Sequence, residues 1–319
     1  MKTTMKLSAL VILTLTTTNL YADNFDHQDP HEGPGYNPYE GPGYNNNRGT
    51  EDKIITTTNE DVKDIILVND NKREKKASRA TNQTSFSSLV IMNSEKSTIK
   101  DNGVEGKATA FKINYDKELA PNQDVGVLFS YKNTTIDKFD GVDDVKSKNI
   151  LLSPYFKYYH DINEKVDVIA VANIVTAFRS TELGANETNI VDYGLGLGVV
   201  PDYYVNDKLL FSMPIGIQTM RQHVTKEPAS SNLDEETISQ LNYGLGVEYM
   251  IKPNWLVNAD VIQTQKLGSS DVEKDNGLYY NLRTSYHGEG WDYTLGYKTV
   301  KNVDNYKEDT YMLSVGYNF

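Results

Sequence analysis

The chain has 319 residues, of which 38% are apolar, 24% are charged and none is cysteine. Its mean hydropathy of −0.54 excludes a bundle of membrane-spanning helices, whereas 22 tyrosines and 9 phenylalanines are more than a disordered protein carries. The net charge of −12 argues against a nucleic-acid partner, because phosphate binding needs clustered lysine and arginine. The lack of cysteine excludes disulfide scaffolds, thiolate zinc sites and cysteine nucleophiles.

Residues 1–22 have the pattern of a secretory signal peptide. Lys2 and Lys6 give a positive start, residues 7–15 form an apolar core, and Ala22 is a small residue at the expected cleavage point. The apolar run is too short to cross a bilayer as a helix. We therefore expect an exported protein that is not anchored by a helix.

Residues 23–59 are rich in glycine, proline and asparagine. The sequence Glu-Gly-Pro-Gly-Tyr-Asn occurs twice, at 32–37 and at 40–45. Glycine and proline at this density prevent a regular helix or strand, so we predict a disordered tail. His27 and His31 lie among acidic residues here, but a tail without fixed geometry is a poor metal site.

Residues 60–79 connect this tail to the strands that follow, and they contain a basic run at 72–76. A charge run of this kind is usually solvated, which favours a simple linker. Placed directly before a barrel, the same segment could instead pass through the lumen as a plug. The sequence leaves both interpretations open.

Residues 80–319 are predicted to form an all-β fold, a closed antiparallel transmembrane β-barrel of about 12 strands, with ten strands as the alternative count. Apolar residues alternate with small or polar ones, which places the two sets on opposite faces of each strand. A lipid-facing sheet cannot leave edge amides unpaired, so the strands must close into a ring. The predicted strands are 84–93, 109–115, 125–132, 150–158, 165–178, 191–199, 209–218, 241–249, 255–266, 278–287, 291–298 and 310–319.

The junctions between these strands alternate in length, as in an outer-membrane barrel with short periplasmic turns and longer outside loops. The short junctions lie near 117–122, 160–164, 204–207, 251–254 and 287–290. The long junctions lie near 94–105, 135–146, 180–189, 223–237, 267–276 and 302–307. The long loops are expected to display acidic residues, namely Asp137, Asp140, Asp143, Asp144, Asp234, Glu235 and Glu236.

Residues 311–319 (YMLSVGYNF) resemble the C-terminal assembly signal of bacterial outer-membrane barrels, which ends in an aromatic residue after alternating apolar positions. The resemblance implies the barrel-assembly machinery as a partner. It assigns the signal to Tyr311, Leu313, Val315, Tyr317 and Phe319.

Residues 193–198 (YGLGLG) and 243–248 (YGLGVE) resemble strands of autotransporter β-domains, and 80–319 is similar to that domain in size. In that family a passenger precedes the barrel. Residues 23–79 are too few to form a β-helix or an enzyme, so the resemblance concerns the barrel type.

Charged residues are predicted on the inner face of the barrel. They are Lys112, Lys132, Lys157 and Arg179 on four successive strands, and Glu248, Asp260, Arg283, Asp292 and Lys298 on later ones. One interpretation is a water-filled pore with one positive wall. The other is a lumen packed shut by salt bridges.

The sequence predicts no catalytic residue, no metal ligand and no cofactor. His160, His223 and His287 lie in the barrel without a local pattern typical of outer-membrane hydrolases, so a hydrolase is a minor alternative. We expect a Gram-negative outer-membrane β-barrel of autotransporter-domain type with a structural or surface-interaction role, and a small porin for polar solutes is the alternative. The expected partners are outer-membrane lipid, lipopolysaccharide and the assembly machinery; we expect a monomer and no nucleic-acid partner.

Overall fold

The computed structural model describes residues 76, 87–101, 104–139, 143–227, 235, 237–267, 277–288, 290–302 and 307–318. They belong to one of two units of the chain, Arg48–Phe319, and the other unit, Met1–Asn47, lies outside the described residues. The predicted signal peptide and tail also lie outside them, as do Phe319 and all of 60–79 except Lys76. Within the described ranges no helix is long and apolar enough to cross a membrane.

The described residues form thirteen β-strands, most of them longer than ten residues. Their bounds are β1 (Ser87–Asp101), β2 (Val104–Ala120), β3 (Gln123–Phe139), β4 (Asp143–Asn163), β5 (Val166–Leu183), β6 (Asn186–Tyr204), β7 (Leu209–Ser212), β8 (Ile215–Lys226), β9 (Thr237–Lys252), β10 (Trp255–Leu267), β11 (Gly277–His287), β12 (Trp291–Asn302) and β13 (Lys307–Asn318).

The strands form a closed antiparallel ring with twelve positions. Each strand pairs with its neighbours along the chain, β13 pairs back with β1, and β7 and β8 share one position between β6 and β9. No position in the ring is an open edge, which satisfies the backbone groups that lipid cannot. The predicted closed barrel of about 12 strands is confirmed.

The predicted single strand 209–218 is wrong in one respect, because it is interrupted between β7 and β8. Pro214 has no N–H to donate to a neighbouring strand, and a proline is normally excluded from a central strand for this reason. The neighbours compensate on both sides: Met213 N donates to Pro201 O at 2.9 Å, and Gly244 N donates to Pro214 O at 3.0 Å. The wall therefore stays hydrogen-bonded across the break.

Three predicted long loops, 94–105, 135–146 and 180–189, are wrong, since the strands continue through most of them. The β5–β6 hairpin turns within two residues, where Gly184 has a φ of 58° that favours glycine. Asp137, Asp143 and Asp144 therefore lie on strands rather than in loops. Asp140, Asp234 and Glu236 lie outside the described residues.

The orientation of the barrel rests on the remaining junctions. β8–β9, β10–β11 and β12–β13 are joined by the longer connections 227–236, 268–276 and 303–306, all at one end. The other end has only short turns and also contains the start of β1. We assign the end with short turns to the periplasm, as in other outer-membrane barrels.

The two faces of the wall have reversed polarity compared with a soluble protein. On β4, the outward Ile150 and Leu152 are 42% and 48% exposed, whereas the inward Leu151 and Ser153 are fully buried. Aromatic side chains pair on the outer face near the periplasmic end, as Trp291 and Tyr317 do with ring centroids 4.8 Å apart. An apolar outer surface with aromatic residues near its ends is the surface expected of a barrel wall in contact with lipid.

Candidate functional site in the barrel lumen

The nine charged residues that the sequence analysis assigned to the lumen alternate with outward apolar neighbours on their strands. The interior therefore contains many buried charged and polar groups, beside an apolar cluster that includes Leu128, Leu151, Val171, Val175 and Met220. Six of these nine side chains are buried, namely those of Lys112, Lys132, Lys157, Arg179, Glu248 and Lys298. The other three, those of Asp260, Arg283 and Asp292, are half-buried.

Cations on β3, β4 and β5 contact carboxylates that the sequence analysis did not assign to the site. Arg179 donates from Nε and Nη2 to the two carboxylate oxygens of Asp192 at 2.8 and 3.0 Å. Lys157 Nζ lies 3.3 Å from Asp116 Oδ2. Because a buried charge is costly without a partner, these pairs neutralise much of the predicted positive wall.

The third pair joins strands that lie farther apart in the ring. Lys132 Nζ on β3 lies 2.9 Å from Glu308 Oε1 on β13, although β1 and β2 separate these strands in the ring. Both side chains are buried. The two residues are 176 positions apart in sequence, so only closure of the barrel brings them together.

The later strands carry a second group of paired charges. Arg283 Nη2 lies 3.3 Å from Asp260 Oδ2, and His287 Nδ1 lies 2.8 Å from Asp292 Oδ1. The Ser285 hydroxyl, on the same face as His287, is hydrogen-bonded with the hydroxyl of Thr294 on β12 at 2.8 Å. A side-chain network therefore ties β10, β11 and β12 together inside the barrel.

Glycines of the inner face make room for large side chains of the next strand. A Cβ on Gly126 would lie 2.2 Å from the ring of Tyr155, which crosses over this glycine so that its hydroxyl donates to Asn114 at 3.0 Å. A Cβ on Gly196 would likewise meet Asn173 Oδ1 at 2.2 Å. These glycines serve packing across neighbouring strands.

The periplasmic end of the lumen is acidic. Asp167 on β5 lies opposite Asp202 on β6, and Asp124 on β3 is buried nearby along the wall. Hydroxyl groups donate to each of these carboxylates: Tyr204 to Asp167 at 3.1 Å and Tyr159 to Asp124 at 2.7 Å, while Ser212 donates to Asp202. Like charges directly opposite each other repel, so this region favours a cation.

A cation from outside the barrel wall lies at this acidic end. Lys76, from the predicted linker or lumen segment, has its Nζ 3.8 Å from Asp167 Oδ2 and 4.2 Å from the centroid of the Tyr204 ring. The same ammonium donates to the backbone oxygen of Asn163 at 3.3 Å. Three different groups of the periplasmic end thus contact one lysine that precedes the first strand.

The outer rim contains a separate charged group. Arg221 donates to Glu235 Oε2 at 3.0 Å, and His223 Nδ1 contacts the other carboxylate oxygen. These hydrogen bonds, first that of Arg221 and then that of His223, lower the pKa of Glu235 below its ordinary value. In the part of the chain that the structure describes, no group of three acidic, histidine or cysteine side chains could hold a metal ion.

A closed ring of strands with an apolar outer wall and a polar, ion-paired interior defines an outer-membrane β-barrel of a Gram-negative bacterium. No protein-family model and no curated protein matches the chain. Solved structures do. The translocator domain of the autotransporter NalP from Neisseria meningitidis is similar with a TM-score of 0.56 at 17% identity, over 83% of this chain and 98% of that one.

Two further solved structures are similar to this chain over most of its length. The transport unit of the autotransporter AIDA-I from Escherichia coli has a TM-score of 0.56 at 12% identity, over 85% of this chain and 98% of that one. An outer membrane channel from Pseudomonas putida F1 has a TM-score of 0.53 at 11% identity, over 74% and 96%. At such identities the likeness concerns the fold. The barrel is autotransporter β-domain-like, as the glycine-containing strands predicted, and a channel shares its architecture.

Proposed function

We propose that this protein is an outer-membrane barrel of autotransporter-domain type in which the segment before β1 enters the lumen from the periplasmic end. Its role is structural or in surface interaction, and free diffusion of solutes is not its main task. The observation that carries this proposal is the set of contacts that Lys76 makes with Asp167, Tyr204 and Asn163.

The electrostatics support this arrangement. Lys76 is the last residue of the basic run 72–76, and the carboxylates of Asp124, Asp167 and Asp202 line the end of the lumen that it approaches. A lysine beside a buried carboxylate and over an aromatic face gains both ionic and cation–π attraction. The ion pairs farther up the lumen also support a filled interior, because paired side chains occupy the space that a permanent pore needs.

Single-channel conductance tests the proposal. The chain 23–319 is refolded beside the full-length variant Lys76→Glu, which reverses the charge at the contact. The matched control is Lys208→Glu, an exposed lysine in the β6–β7 turn at the same end. We expect the wild type and the control to be silent or nearly so, and Lys76→Glu to open frequently.

The alternative is a small porin for polar solutes, which the polar lining of the lumen also suits. A steady and equal conductance in all three proteins would favour that porin and contradict the proposed role of Lys76. Absence of conductance in all three proteins would mean that the lumen is closed without the Lys76 contact. It would therefore also contradict the proposed role of Lys76.

A further inference from the structure

The outer wall carries a cluster of lysines just above its apolar band. On β2, β3, β4 and β5 the outward residues Phe111, Tyr131, Ile150 and Phe178 lie side by side in register. Among the outward residues whose side chains the structure describes, they are the outermost large apolar ones on these four strands. This row marks where the hydrocarbon of the outer leaflet ends on this side of the barrel.

Three exposed lysines lie directly above the row. Lys148 is two residues beyond Ile150 on β4, and Lys146 is two residues beyond Lys148; Lys107 on β2 is level with Lys146, since both are in register with Thr135 on β3. Along the strand, Lys148 lies about 7 Å beyond the row and Lys146 and Lys107 about 14 Å beyond it, and strand tilt makes the heights above the membrane smaller. These three side chains, which we name the outer lysine patch, therefore lie at the height of lipid headgroups.

The patch is cationic, although the whole chain has a net charge of −12. Lys148 Nζ lies 3.8 Å from Glu182 Oε1 on β5, and in the described ranges neither Lys107 nor Lys146 forms an ion pair. One row farther from the membrane, the exposed side chains of Glu105 and Asp144 are acidic. On β2 and β4 the order from the membrane outward is thus apolar, cationic and anionic, whereas on β5 the acidic Glu182 lies level with Lys146.

We propose that the outer lysine patch binds the phosphate groups of lipopolysaccharide in the outer leaflet. Ammonium groups attract phosphate, and Thr135 between Lys107 and Lys146 supplies a hydroxyl on the same face. The acidic row above repels phosphate and confines the headgroup to the lysine level. The site faces lipid and is independent of the lumen, so it stands or falls separately from the role of Lys76.

The test measures binding of diphosphorylated lipid A to the full chain in detergent by native mass spectrometry. The variant is Lys107→Gln with Lys146→Gln and Lys148→Gln. The matched control is Lys117→Gln with Lys208→Gln and Lys252→Gln, which removes three exposed lysines at the periplasmic end. Because each lysine near an anionic lipid surface contributes separately, we expect the patch variant to bind about tenfold more weakly or worse and the control to match the wild type.

A second variant raises the affinity and cannot be explained by misfolding. Glu182→Gln removes the carboxylate beside Lys148, so we expect lipid A to bind about twofold or more tightly. Dephosphorylated lipid A should bind the wild type as weakly as lipid A binds the patch variant. Equal binding by the patch variant and the wild type, or equal binding of dephosphorylated lipid A or of phosphatidylglycerol, would overturn the proposal.

Discussion

Asp167 on β5 lies directly opposite Asp202 on β6, and each residue is only 1% exposed. Two carboxylates in this relationship are unfavourable unless hydrogen bonds and a cation balance them. Tyr204 and Ser212 supply hydrogen bonds, and Lys76 supplies a positive charge beside Asp167. The like-charged pair in the wall thus lies beside the ammonium group of Lys76, which is not part of the wall.

A double-mutant cycle measures this balance. We expect Lys76→Gln to lower the free energy of unfolding by about 1 kcal/mol in the wild type, and to have little effect once Asp167→Asn has removed the charge that Lys76 contacts. Urea unfolding in lipid vesicles, followed by tryptophan fluorescence, gives the four values. Lys208→Gln in place of Lys76→Gln should be additive with Asp167→Asn. Additivity of Lys76→Gln itself would contradict the contact.

The buried pair of Lys132 on β3 and Glu308 on β13 gives a larger effect on stability. We expect Lys132→Met to lower the free energy of unfolding by about 3–5 kcal/mol, because it leaves the Glu308 carboxylate buried without its ammonium partner. Lys132→Met with Glu308→Leu should recover a large part of this loss. The exposed pair Lys148 and Glu182 is the control, where Lys148→Met should cost about 1 kcal/mol or less. A double variant as unstable as Lys132→Met would mean that packing, not charge, is what the site requires.

Gly126 tests the packing role of the inner-face glycines. Gly126→Val places side-chain atoms where the Tyr155 ring lies, so Tyr155 must leave and lose its hydrogen bond with Asn114. We expect a loss of about 1–3 kcal/mol in unfolding free energy, as for other overpacked interiors. Tyr155→Ala should recover only part of this loss, because the added Cβ also lies 2.5 Å from the backbone oxygen of Tyr115. If Gly126→Val is as harmful in that background, the glycine is needed for the backbone of β3 instead.

The proposed assembly signal can be tested by comparing the stability of two variants with their amounts in the outer membrane of cells. Tyr317→Ala changes one signal position and also removes the ring contact with Trp291, whereas Trp291→Ala removes the same ring contact from β12 and leaves β13 intact. We expect both variants to be similarly stable after refolding, but only Tyr317→Ala to accumulate poorly in the outer membrane of cells. Equal cellular amounts of the two variants would contradict the signal.

The hydrogen bonds of Glu235 at the outer rim predict how this carboxylate titrates with pH. The pKa of Glu235 is lowered mainly by the hydrogen bond from Arg221, so the interaction is complete above the ordinary pKa of a glutamate and is lost as the pH falls through the lowered value. Selective carbon-13 labelling of glutamate, assigned with Glu235→Gln, would follow the titration by NMR. We expect the midpoint to lie below the ordinary range and to move up towards it in Arg221→Gln. An unchanged midpoint in Arg221→Gln would rule out that hydrogen bond as the cause.

Alternation of apolar and polar residues determined the class of fold and the strand number. This pattern was sufficient because a strand that separates lipid from a polar interior alternates in polarity, as the exposed Tyr293 and Leu295 show against Asp292 and Thr294 on β12. The same rule failed where it no longer applied. Beyond the membrane the outward face of a strand meets water, so outward residues such as Lys107, Thr135 and Lys146 on the extensions of β2, β3 and β4 are polar. These extensions were therefore mistaken for loops.

The parity of positions along a strand predicts which lysines and arginines face the interior, and Lys112, Lys132, Lys157, Arg179 and Lys298 are buried. It did not indicate their partners. Glu308 reaches Lys132 only because the ring closes through β13 and β1, and Asp167 meets Asp202 only through the register of β5 and β6. Periodicity along one strand contains no information about register or closure, and these two properties of the tertiary structure decide which charges neutralise one another.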